Sequence, residues 1–416
     1  MADPEYCGTT FPFSIITGRT IAGILEEDLD GCISIVRDAY LAHYHGRSVN
    51  PPAVFLCFGD KPNARIIGLP AYLDEPWRIS GIKWIASYPD NVRQGVPRAS
   101  AVLILNNHDC GYPFACLESS IISAARTAAL AVLAASCLAA VERNAHTLGI
   151  IGTGFIARYV YRFLMGTGWK IDNIRLFDVI QSQAESFRDS VCDRWRHCSV
   201  RVAPDIDSAI RASDLILFST VASEPHVHDV KLFEHRPTVL HISLRDLAPE
   251  IILESCNIVD DVDHVLCANT SPHLAEKVTG HRNFIRGTLA EVIEARCVPD
   301  QLSRSSFRHL ASECSIWPSE SGFTTKPLQE ANTFWWMSSS TTCTGSTVTT
   351  SPTILRRQAS LGGCLVVEAL AGREPRYREY EKAVGEGKNT VTMPVAEIHA
   401  AEIRRLDPRT SEDGAA

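Results

Sequence analysis

The feature that most constrains the fold is a glycine-rich turn between an apolar strand and a helix. The stretch "GIIGTGFIA" contains the pattern GxGxxA. The first five residues of this pattern are Gly152, Thr153, Gly154, Phe155 and Ile156. The first glycine allows a tight turn, and the second lets the backbone approach a pyrophosphate at the helix N-terminus. The small sixth residue allows the helix to pack closely on the strand. In this context the pattern predicts a dinucleotide-binding site.

The chain around this turn alternates between strands and helices, which is typical of a doubly wound parallel sheet. The predicted elements are strand 146–154, helix 155–168, strand 171–179, helix 182–195, a strand–helix–strand unit at 198–221 and strand 237–247. Asp178 ends the second of these strands. A carboxylate there can accept hydrogen bonds from ribose hydroxyls and disfavours a 2′-phosphate, so it favours NAD over NADP. The alternative is a simple turn residue.

The N-terminal part has a different pattern. Hydrophobic spacing predicts a helix over residues 24–45 that ends at "VNPP", followed by strands that form an antiparallel or mixed sheet. The predicted strands are residues 53–58, 64–73, 81–89 and 100–107. An almost wholly apolar helix over 119–142 carries Arg126 in its interior. A buried arginine needs a carboxylate, and the sequence leaves open whether protein or ligand supplies it.

Composition excludes several kinds of partner. Charged residues make up 21% of the 416 residues and the net charge is −8, so no basic patch indicates nucleic-acid binding. The longest apolar run, at about residues 128–141, is too short to span a membrane. The first residues are acidic where a signal peptide needs a basic start. We therefore expect a cytoplasmic protein with no membrane partner.

The cysteines and histidines do not predict a metal site. The fourteen cysteines include no CxxC pair and are expected to be buried small hydrophobic residues. Two loose clusters lack the paired spacing of a zinc site. Their members are His226, His228 and Asp229 in one, and His108, Cys110 and Cys116 in the other. We interpret them as loop polar groups and core thiols.

Several long segments resemble the ornithine cyclodeaminase/mu-crystallin family. They include "ARIIGLPAYL", "GYPFACLESSIISAARTAALAVLAA", "GIIGTGFIAR", "LHISLRDLAPEIIL" and "HRNFIRGTLAEV", within about residues 10–295. The second and fourth most resemble the siderophore-type branch, the N-((2S)-2-amino-2-carboxyethyl)-L-glutamate dehydrogenases of 2,3-diaminopropionate biosynthesis. The resemblance implies an α/β protein with a Rossmann NAD-binding domain, an α+β substrate and dimerisation domain, and an active site in the cleft between them. It also implies a homodimer.

This fold divides the chain into three predicted parts. Residues 1–125 are the substrate and dimerisation domain, and residues 126–298 are the Rossmann domain, with 119–142 as the linking helix. Residues 299–416 form a divergent, irregular C-terminal region. The role of its tail, residues 361–416, is not assigned by the resemblance.

The resemblance also assigns roles to single residues. Lys83 in "GIKW" matches a lysine at the substrate carboxylate and reacting carbon, and Arg126 matches an arginine that clamps a substrate carboxylate. Asp246 in "LRDLAPE" matches an acid/base aspartate. Without the resemblance, Lys83 is more typical of a solvated strand end, and Asp246 of a turn or cap. Cofactor contacts are implied for Thr127, Thr220 and Val221.

The implied reaction is oxidative cleavage of a secondary amine. NAD takes hydride from the glutamate α-carbon, the imine is hydrolysed, and 2-oxoglutarate and L-2,3-diaminopropionate are released for siderophore or peptide-antibiotic synthesis. The cations would hold the carboxylates, and Asp246 would move protons. The alternatives are ornithine cyclodeaminase or ketimine reductase activity, and an inactive, cofactor-binding, crystallin-like homologue.

The chain departs from the family at one position in the substrate domain. Where the branch has a sequence like "FLRFP", this chain has "FLCFG", so Cys57 replaces an arginine. If that arginine binds a carboxylate, affinity falls here. Arg47 and Arg98 are candidates to compensate, and Arg98 is included in the predicted substrate site.

The resemblance stops where the family chain returns to its first domain. Residues 307–322 show no periodicity, but codons permitted for them, translated in a shifted frame, spell a family-like "PFGLGVLDLAVGKW". The same shift, with permitted codons, allows "LLVDEFFYDLYR" for residues 333–345. We hypothesise a change of reading frame between about residues 295 and 306; the alternative is a true Ser/Thr-rich linker. Sequencing the gene and its transcript across codons 290–360 tests this hypothesis. An in-frame coding region in both, whose codons do not spell the family motif in the shifted frame, would refute it.

Overall fold

The computed structural model describes residues 13–51, 53–139, 143–195, 197 and 199–297, and the backbone of the strand Arg308–Ala311. All of these residues belong to one compact unit. Apart from that strand, the predicted C-terminal region and its tail lie outside the described residues. The reading-frame hypothesis therefore stays a prediction.

The first part of the chain is a mixed sheet packed against helices. Its elements are β1 Ser14–Ile16, α1 Gly18–Glu27, α2 Leu29–Tyr44, β2 Ser48–Val49, β3 Val54–Phe58, β4 Lys61–Leu73, β5 Ile79–Ser87, β6 Ala99–Asn107, β7 Pro113–Glu118 and α3 Ser120–Leu138. The strand order is β1-β7-β6-β5-β4-β2, and β3 also pairs with β4. β1 runs parallel to β7 and the other neighbours are antiparallel. The four predicted strands correspond to β3–β6, and the predicted mixed sheet is confirmed.

The predicted helix over residues 24–45 is wrong in its bounds, because the structure divides it at Asp28. The Asp28 carboxylate accepts a hydrogen bond from the Gly31 amide at 2.7 Å, which caps α2 and ends α1. α2 ends at Tyr44, before the prolines, because the chain turns at Gly46 with a φ of +69°. Capping and turn geometry set these bounds, and hydrophobic spacing does not reveal them.

The second part is a parallel sheet with helical connections. It comprises β8 Asn144–Ile151, α4 Phe155–Gly166, β9 Lys170–Phe177, α5 Gln181–Ser190, β10 Ser199–Val202, α6 Ile206–Arg211, β11 Leu215–Phe218, β12 Thr238–His241, α7 Pro249–Leu253, β13 Cys256–Val259, α8 Val262–Val265, α9 Ser271–Thr279, β14 Ile285–Thr288, α10 Leu289–Ile293 and β15 Arg308–Ala311. The order is β10-β9-β8-β11-β12-β15-β13-β14, and all neighbours are parallel. The predicted doubly wound α/β sheet is confirmed.

One strand lies where the sequence predicts irregular structure. β15 pairs with β12 on one side and β13 on the other, within residues 307–322, for which no periodicity is visible. A strand of four residues is too short to show a period, and its sequence RHLA is neither an apolar run nor a strict alternation. The prediction of an irregular region is therefore wrong for Arg308–Ala311.

Helix α3 connects the two sheets. It packs against β6 of the first sheet, β12 of the second, and helices α2 and α4. In the part of the chain that the structure describes, α3 is the helix whose length and composition would suffice to cross a membrane, and most of it is buried inside the protein. The predicted domain boundary between residues 125 and 126 falls within this helix and stays a prediction.

Candidate active site

The glycine-rich turn joins β8 to α4 with a geometry that requires glycine at one position. Gly152 has a φ of +84°, and a Cβ there would lie 2.8 Å from the Ser219 carbonyl oxygen and 3.0 Å from the Thr220 amide nitrogen. The ends of β8 and β11 can approach this closely only because the side chain is missing. Gly154 caps α4 and is different, since a Cβ on it would meet no atom within 4 Å.

Asp178 is bonded to this turn. The Thr153 amide and hydroxyl donate to its Oδ2 at 2.8 and 2.9 Å, and the Ile180 amide donates to its Oδ1 at 2.9 Å. Thr153 is buried and Asp178 is half-buried at the end of β9. A carboxylate oxygen can accept about two hydrogen bonds, so Oδ1, which accepts one, retains capacity for a ribose hydroxyl. Asp178 therefore holds the turn and can also bind a nucleoside.

These residues fit a dinucleotide. The first turn of α4 begins at Phe155 and Ile156, and Gly154 leaves open space before it where a phosphate can accept hydrogen bonds from amides. Phe155 is half-exposed beside that space. The sequence predicted a dinucleotide at this strand–turn–helix unit, and the unit has the open space that a bound phosphate needs.

Two glycine variants separate the two roles of this turn. We expect Gly152→Ala to lower the melting temperature and to weaken NAD binding, because its Cβ meets backbone atoms and its φ disfavours alanine by roughly 1–2 kcal/mol. We expect Gly154→Ala to change stability by about 1 kcal/mol or less, but to weaken NAD binding at least about tenfold by filling the phosphate space. Thermal unfolding and NAD titration measure both. Gly23→Ala, with open space around its Cβ, is the control. Equal NAD affinity in Gly154→Ala and the wild type would contradict the assignment.

Asp246 is a fully buried carboxylate in the loop after β12. Its Oδ1 accepts a hydrogen bond from the Thr220 hydroxyl, and its Oδ2 lies within hydrogen-bond distance of His241 Nε2, at 3.1 Å. Burial acts to raise the pKa of Asp246, but the hydrogen bond and charge of His241 and the Thr220 hydroxyl outweigh it and hold that pKa below its usual range. Asp246 is therefore ionised at neutral pH and can accept a proton, which neither a turn nor a cap explains.

Thr220 and Val221 follow β11, as predicted from the strand end. The Thr220 amide lies close to Gly152, and the Thr220 hydroxyl binds Asp246. Val221 is 78% exposed beside it. The dinucleotide turn and the candidate acid/base residue thus both lie against one residue, the first at its backbone and the second at its side chain.

Lys83 lies on the inner face of the first sheet. Its cross-strand partners are Leu69 and Leu103, and Leu103 in turn pairs with Leu117. All four residues of this row are at most 7% exposed. The alternative of a solvated strand end is therefore wrong. Lysine is rarely buried unless it is paired, and the role that the resemblance assigns to Lys83 stays a prediction.

Arg126 and Thr127 are both buried in α3. The Thr127 hydroxyl donates to the Ser123 carbonyl one helical turn earlier, at 2.8 Å. The start of α3 is fixed by Glu118, whose carboxylate accepts hydrogen bonds from the Ser120 and Ile121 amides at 2.7 and 3.1 Å. The assigned roles of Arg126 and Thr127 stay predictions, and both residues stand on the helix that contacts both sheets.

The register of the first sheet shows which cation lies nearest Cys57. Arg65, on β4, is the direct cross-strand partner of Cys57 and is buried. Burial, followed by the nearby charge of Arg98, lowers the pKa of Arg65. Arg98 is half-buried, and burial lowers its pKa as well. Arg47 instead is exposed and donates to the Glu75 carbonyl at 3.3 Å. Sequence reasoning missed Arg65 because only strand register places it opposite Cys57.

Within the described ranges, no group of three or more His, Cys, Asp or Glu side chains is arranged to hold a metal ion. Asp229 caps a short 3-10 helix through the Lys231 amide, at 3.0 Å. His108 stacks on Tyr72 with ring centroids 4.4 Å apart. His226 lies on a loop, and its Nε2 is 3.6 Å from Asp246 Oδ1, a neighbour that the sequence did not predict.

Comparison with known proteins agrees with this architecture. Residues 22–232 match the ornithine cyclodeaminase/mu-crystallin family. One relative is the N-((2S)-2-amino-2-carboxyethyl)-L-glutamate dehydrogenase of Staphylococcus aureus, 29% identical over 238 residues, or 55% of this chain and 68% of the relative.

Two solved structures share the fold. The Δ1-pyrroline-2-carboxylate reductase of Thermococcus litoralis, in complex with NADH and L-proline, aligns with a TM-score of 0.64 at 21% identity, over 72% of this chain and 91% of that one. An archaeal alanine dehydrogenase dimer with bound NAD aligns with a TM-score of 0.63 at 24% identity, over 72% and 90%.

Proposed function

Because this chain belongs to the ornithine cyclodeaminase/mu-crystallin family, we propose that it is a cytoplasmic, NAD-dependent amino-acid dehydrogenase. Its proposed substrate is N-(2-amino-2-carboxyethyl)-L-glutamate, and its products are 2-oxoglutarate and L-2,3-diaminopropionate, a precursor for siderophores or peptide antibiotics. The likeness to the Staphylococcus aureus dehydrogenase supports this substrate. The observation that carries the proposal is the position of Thr220. Its amide lies close to Gly152 in the glycine turn, and its hydroxyl binds the buried, ionised Asp246.

The chain's own residues supply binding, orientation and proton transfer. When bound, NAD supplies the acceptor for the hydride of the glutamate α-carbon. Lys83 and Arg126 hold substrate carboxylates and so orient the α C–H bond. Asp246 accepts the proton of the substrate amine, and later serves the addition of water to the imine and the departure of the product amine. Gly152, Gly154 and Asp178 would hold the dinucleotide.

The substrate carries several carboxylates, so it needs more than one cation. We assign Arg65 and Arg98 to the carboxylate most distant from the reacting carbon. Arg65 stands directly opposite Cys57, the position for which the resemblance implies an arginine, and it lies near Arg98. Its guanidinium therefore comes from the neighbouring strand at the same level of the sheet. This placement supports retention of the dicarboxylate substrate despite Cys57.

Product analysis with NAD+ tests the proposed function. Purified protein is incubated with N-(2-amino-2-carboxyethyl)-L-glutamate, ornithine or proline, and NADH and products are measured. We expect NADH and 2-oxoglutarate in equal amounts from the first amine only. Conversion of ornithine to proline without net NADH would indicate a cyclodeaminase, and oxidation of proline to its cyclic imine would indicate a ketimine reductase acting in reverse. NAD binding with no turnover would indicate an inactive, crystallin-like homologue.

We also infer a homodimer that forms through the outer face of the first sheet. Val54, Gly68, Trp84 and Val102 form one row across β3, β4, β5 and β6 on this face. Val54 is 65% exposed, Trp84 is 41% exposed and Val102 is 38% exposed. Leu56 on β3 and Ile15 on β1 of the same sheet are further exposed apolar residues. A contiguous apolar face of this kind is typical of an interface between subunits.

A charge at the centre of this face should separate the subunits. We expect Trp84→Glu to yield a monomer, because a carboxylate desolvated in an apolar interface costs several kcal/mol. Light scattering after size-exclusion chromatography gives the mass. Trp195→Glu is the matched control, since Trp195 is 38% exposed but follows α5 in the second part of the fold. A Trp84→Glu protein with the wild-type mass would refute this interface.

A further inference from the structure

The proposed function requires that a proton taken up by Asp246 be passed on to solvent. A secondary amine is protonated in neutral solution and must lose that proton before its α-carbon can release hydride. Oxidation and hydrolysis together then release a proton in each turnover. Asp246, the candidate acceptor, is 0% exposed, so it cannot pass a proton directly to water.

Of the partners of Asp246, His241 is closed off from solvent, and Thr220 is half-buried but presents a hydroxyl that donates to the carboxylate. His241, whose Nε2 lies 3.1 Å from Oδ2, is 1% exposed and lies at the end of the central strand β12. Its ring packs edge-on against Phe218, with centroids 5.7 Å apart. The Thr220 hydroxyl is engaged on Oδ1. These two groups hold the carboxylate in place and favour its ionised form.

His226 reaches both the carboxylate and solvent. Its side chain is 36% exposed, and its Nε2 lies 3.6 Å from Asp246 Oδ1. The backbone fixes this approach, because the His226 and Val227 amides both donate to the Asp246 carbonyl at 3.0 Å. The Ala248 amide donates in return to the Val227 carbonyl at 2.9 Å. The two segments are thus tied together on both sides of the charged pair.

We infer that His226 is the proton relay between Asp246 and solvent. This inference rests on the proposed function. A proton taken up by Asp246 passes to His226 Nε2, and the proton on Nδ1 of the resulting imidazolium leaves to water. No electron moves and no other bond breaks. The 3.6 Å separation is longer than a hydrogen bond, and catalytic contacts commonly shorten when substrate binds.

The charged surroundings of the relay come from two segments. Asp246 faces it from the loop after β12, and the adjacent Arg245 donates to the Ser223 carbonyl at 3.2 Å and to the Ala268 carbonyl at 3.0 Å. His241 lies behind Asp246 at the end of β12. Glu224 and His228 are exposed neighbours on the segment of His226 itself. His226 combines contact with Asp246 and access to water, whereas His228 shares its segment and exposure and serves as the matched comparison.

Chemical rescue tests the relay. We expect His226→Ala to lower kcat roughly 10- to 100-fold, with the KM for the amine and the Kd for NAD changed less than about twofold. Added imidazole should restore at least about a third of the lost rate in His226→Ala and none in Asp246→Asn. His228→Ala should match the wild type with or without imidazole. Wild-type kcat in His226→Ala, or a loss that imidazole does not restore, would overturn the relay while leaving the proposed function intact.

A second measurement is independent of turnover. The ¹⁵N chemical shifts of the His226 ring report the state of Nε2, and we expect them to change in Asp246→Asn, while those of His228 stay constant. If wild-type protein turns over no amine, the proposed function fails and this spectrum still decides whether His226 senses Asp246. Unchanged His226 shifts in Asp246→Asn would overturn the relay.

Discussion

Replacing Asp246 with asparagine should lower kcat by about 10³-fold, within the roughly 10²- to 10⁴-fold range of general acid–base catalysis, without loss of fold or NAD binding. Asparagine keeps the shape of the side chain and can still bond to Thr220 and His241, but it cannot take up a proton. The surroundings of Asp246 hold its pKa below the usual range, so the wild-type residue is available as a base at neutral pH. Steady-state kinetics and NAD titration measure the two effects.

The matched control is Asp189→Asn. Asp189 is an exposed carboxylate paired with Arg188 at 2.6 Å, far along the chain from the glycine turn and the loop after β12. Its removal should leave kcat, NAD affinity and melting temperature near the wild-type values. A kcat for Asp246→Asn within about tenfold of the wild type would show that Asp246 is not the acid/base residue.

Replacing Lys83 with methionine should lower kcat/KM by roughly 10²- to 10³-fold, as expected for loss of a buried cation from a carboxylate. Methionine preserves an unbranched apolar stem in the row formed with Leu69, Leu103 and Leu117, so the sheet should remain packed. Lys83 has a partner within the protein, and removal of one member of a buried polar contact is destabilising, so the melting temperature should also fall. The measurements are the dependence of rate on amine concentration and thermal unfolding.

Lys61→Met is the control for this substitution, because Lys61 lies on β4 of the same sheet but is exposed. It should have wild-type kinetics. NAD affinity should be unchanged in both variants, which separates loss of substrate binding from damage to the cofactor site. A Lys83→Met protein with wild-type kcat/KM would exclude Lys83 from the substrate site.

The cofactor turn is the part of the site that sequence predicts best. Its strand, glycines and helix are contiguous, so short-range rules suffice, and the structure places Gly152 with a φ of +84° against Ser219 and Thr220. The strands β3–β6 were also predictable, because they are long and separated by clear turn residues. Asp178 and Thr153 form a contact that the spacing of strand ends allows but does not specify.

The contacts that depend on register and on distant segments could not be predicted. Arg65 faces Cys57 only because of one particular pairing of β3 with β4. His226 meets Asp246 because two loops of the parallel sheet end at the same edge, and its sequence context suggested only a weak metal cluster. The short strand β13 shows no alternation because all four of its residues are buried.

The central claim is that this site removes hydride from the glutamate α-carbon of its amine substrate. The direct measurement is the fate of deuterium placed at that carbon, followed by mass spectrometry of the nicotinamide product after reaction with NAD+. We predict that the deuterium is found in the reduced nicotinamide ring and that 2-oxoglutarate is released in equal amount. Unlabelled NADH, or glutamate that is released with its deuterium retained, would contradict the account.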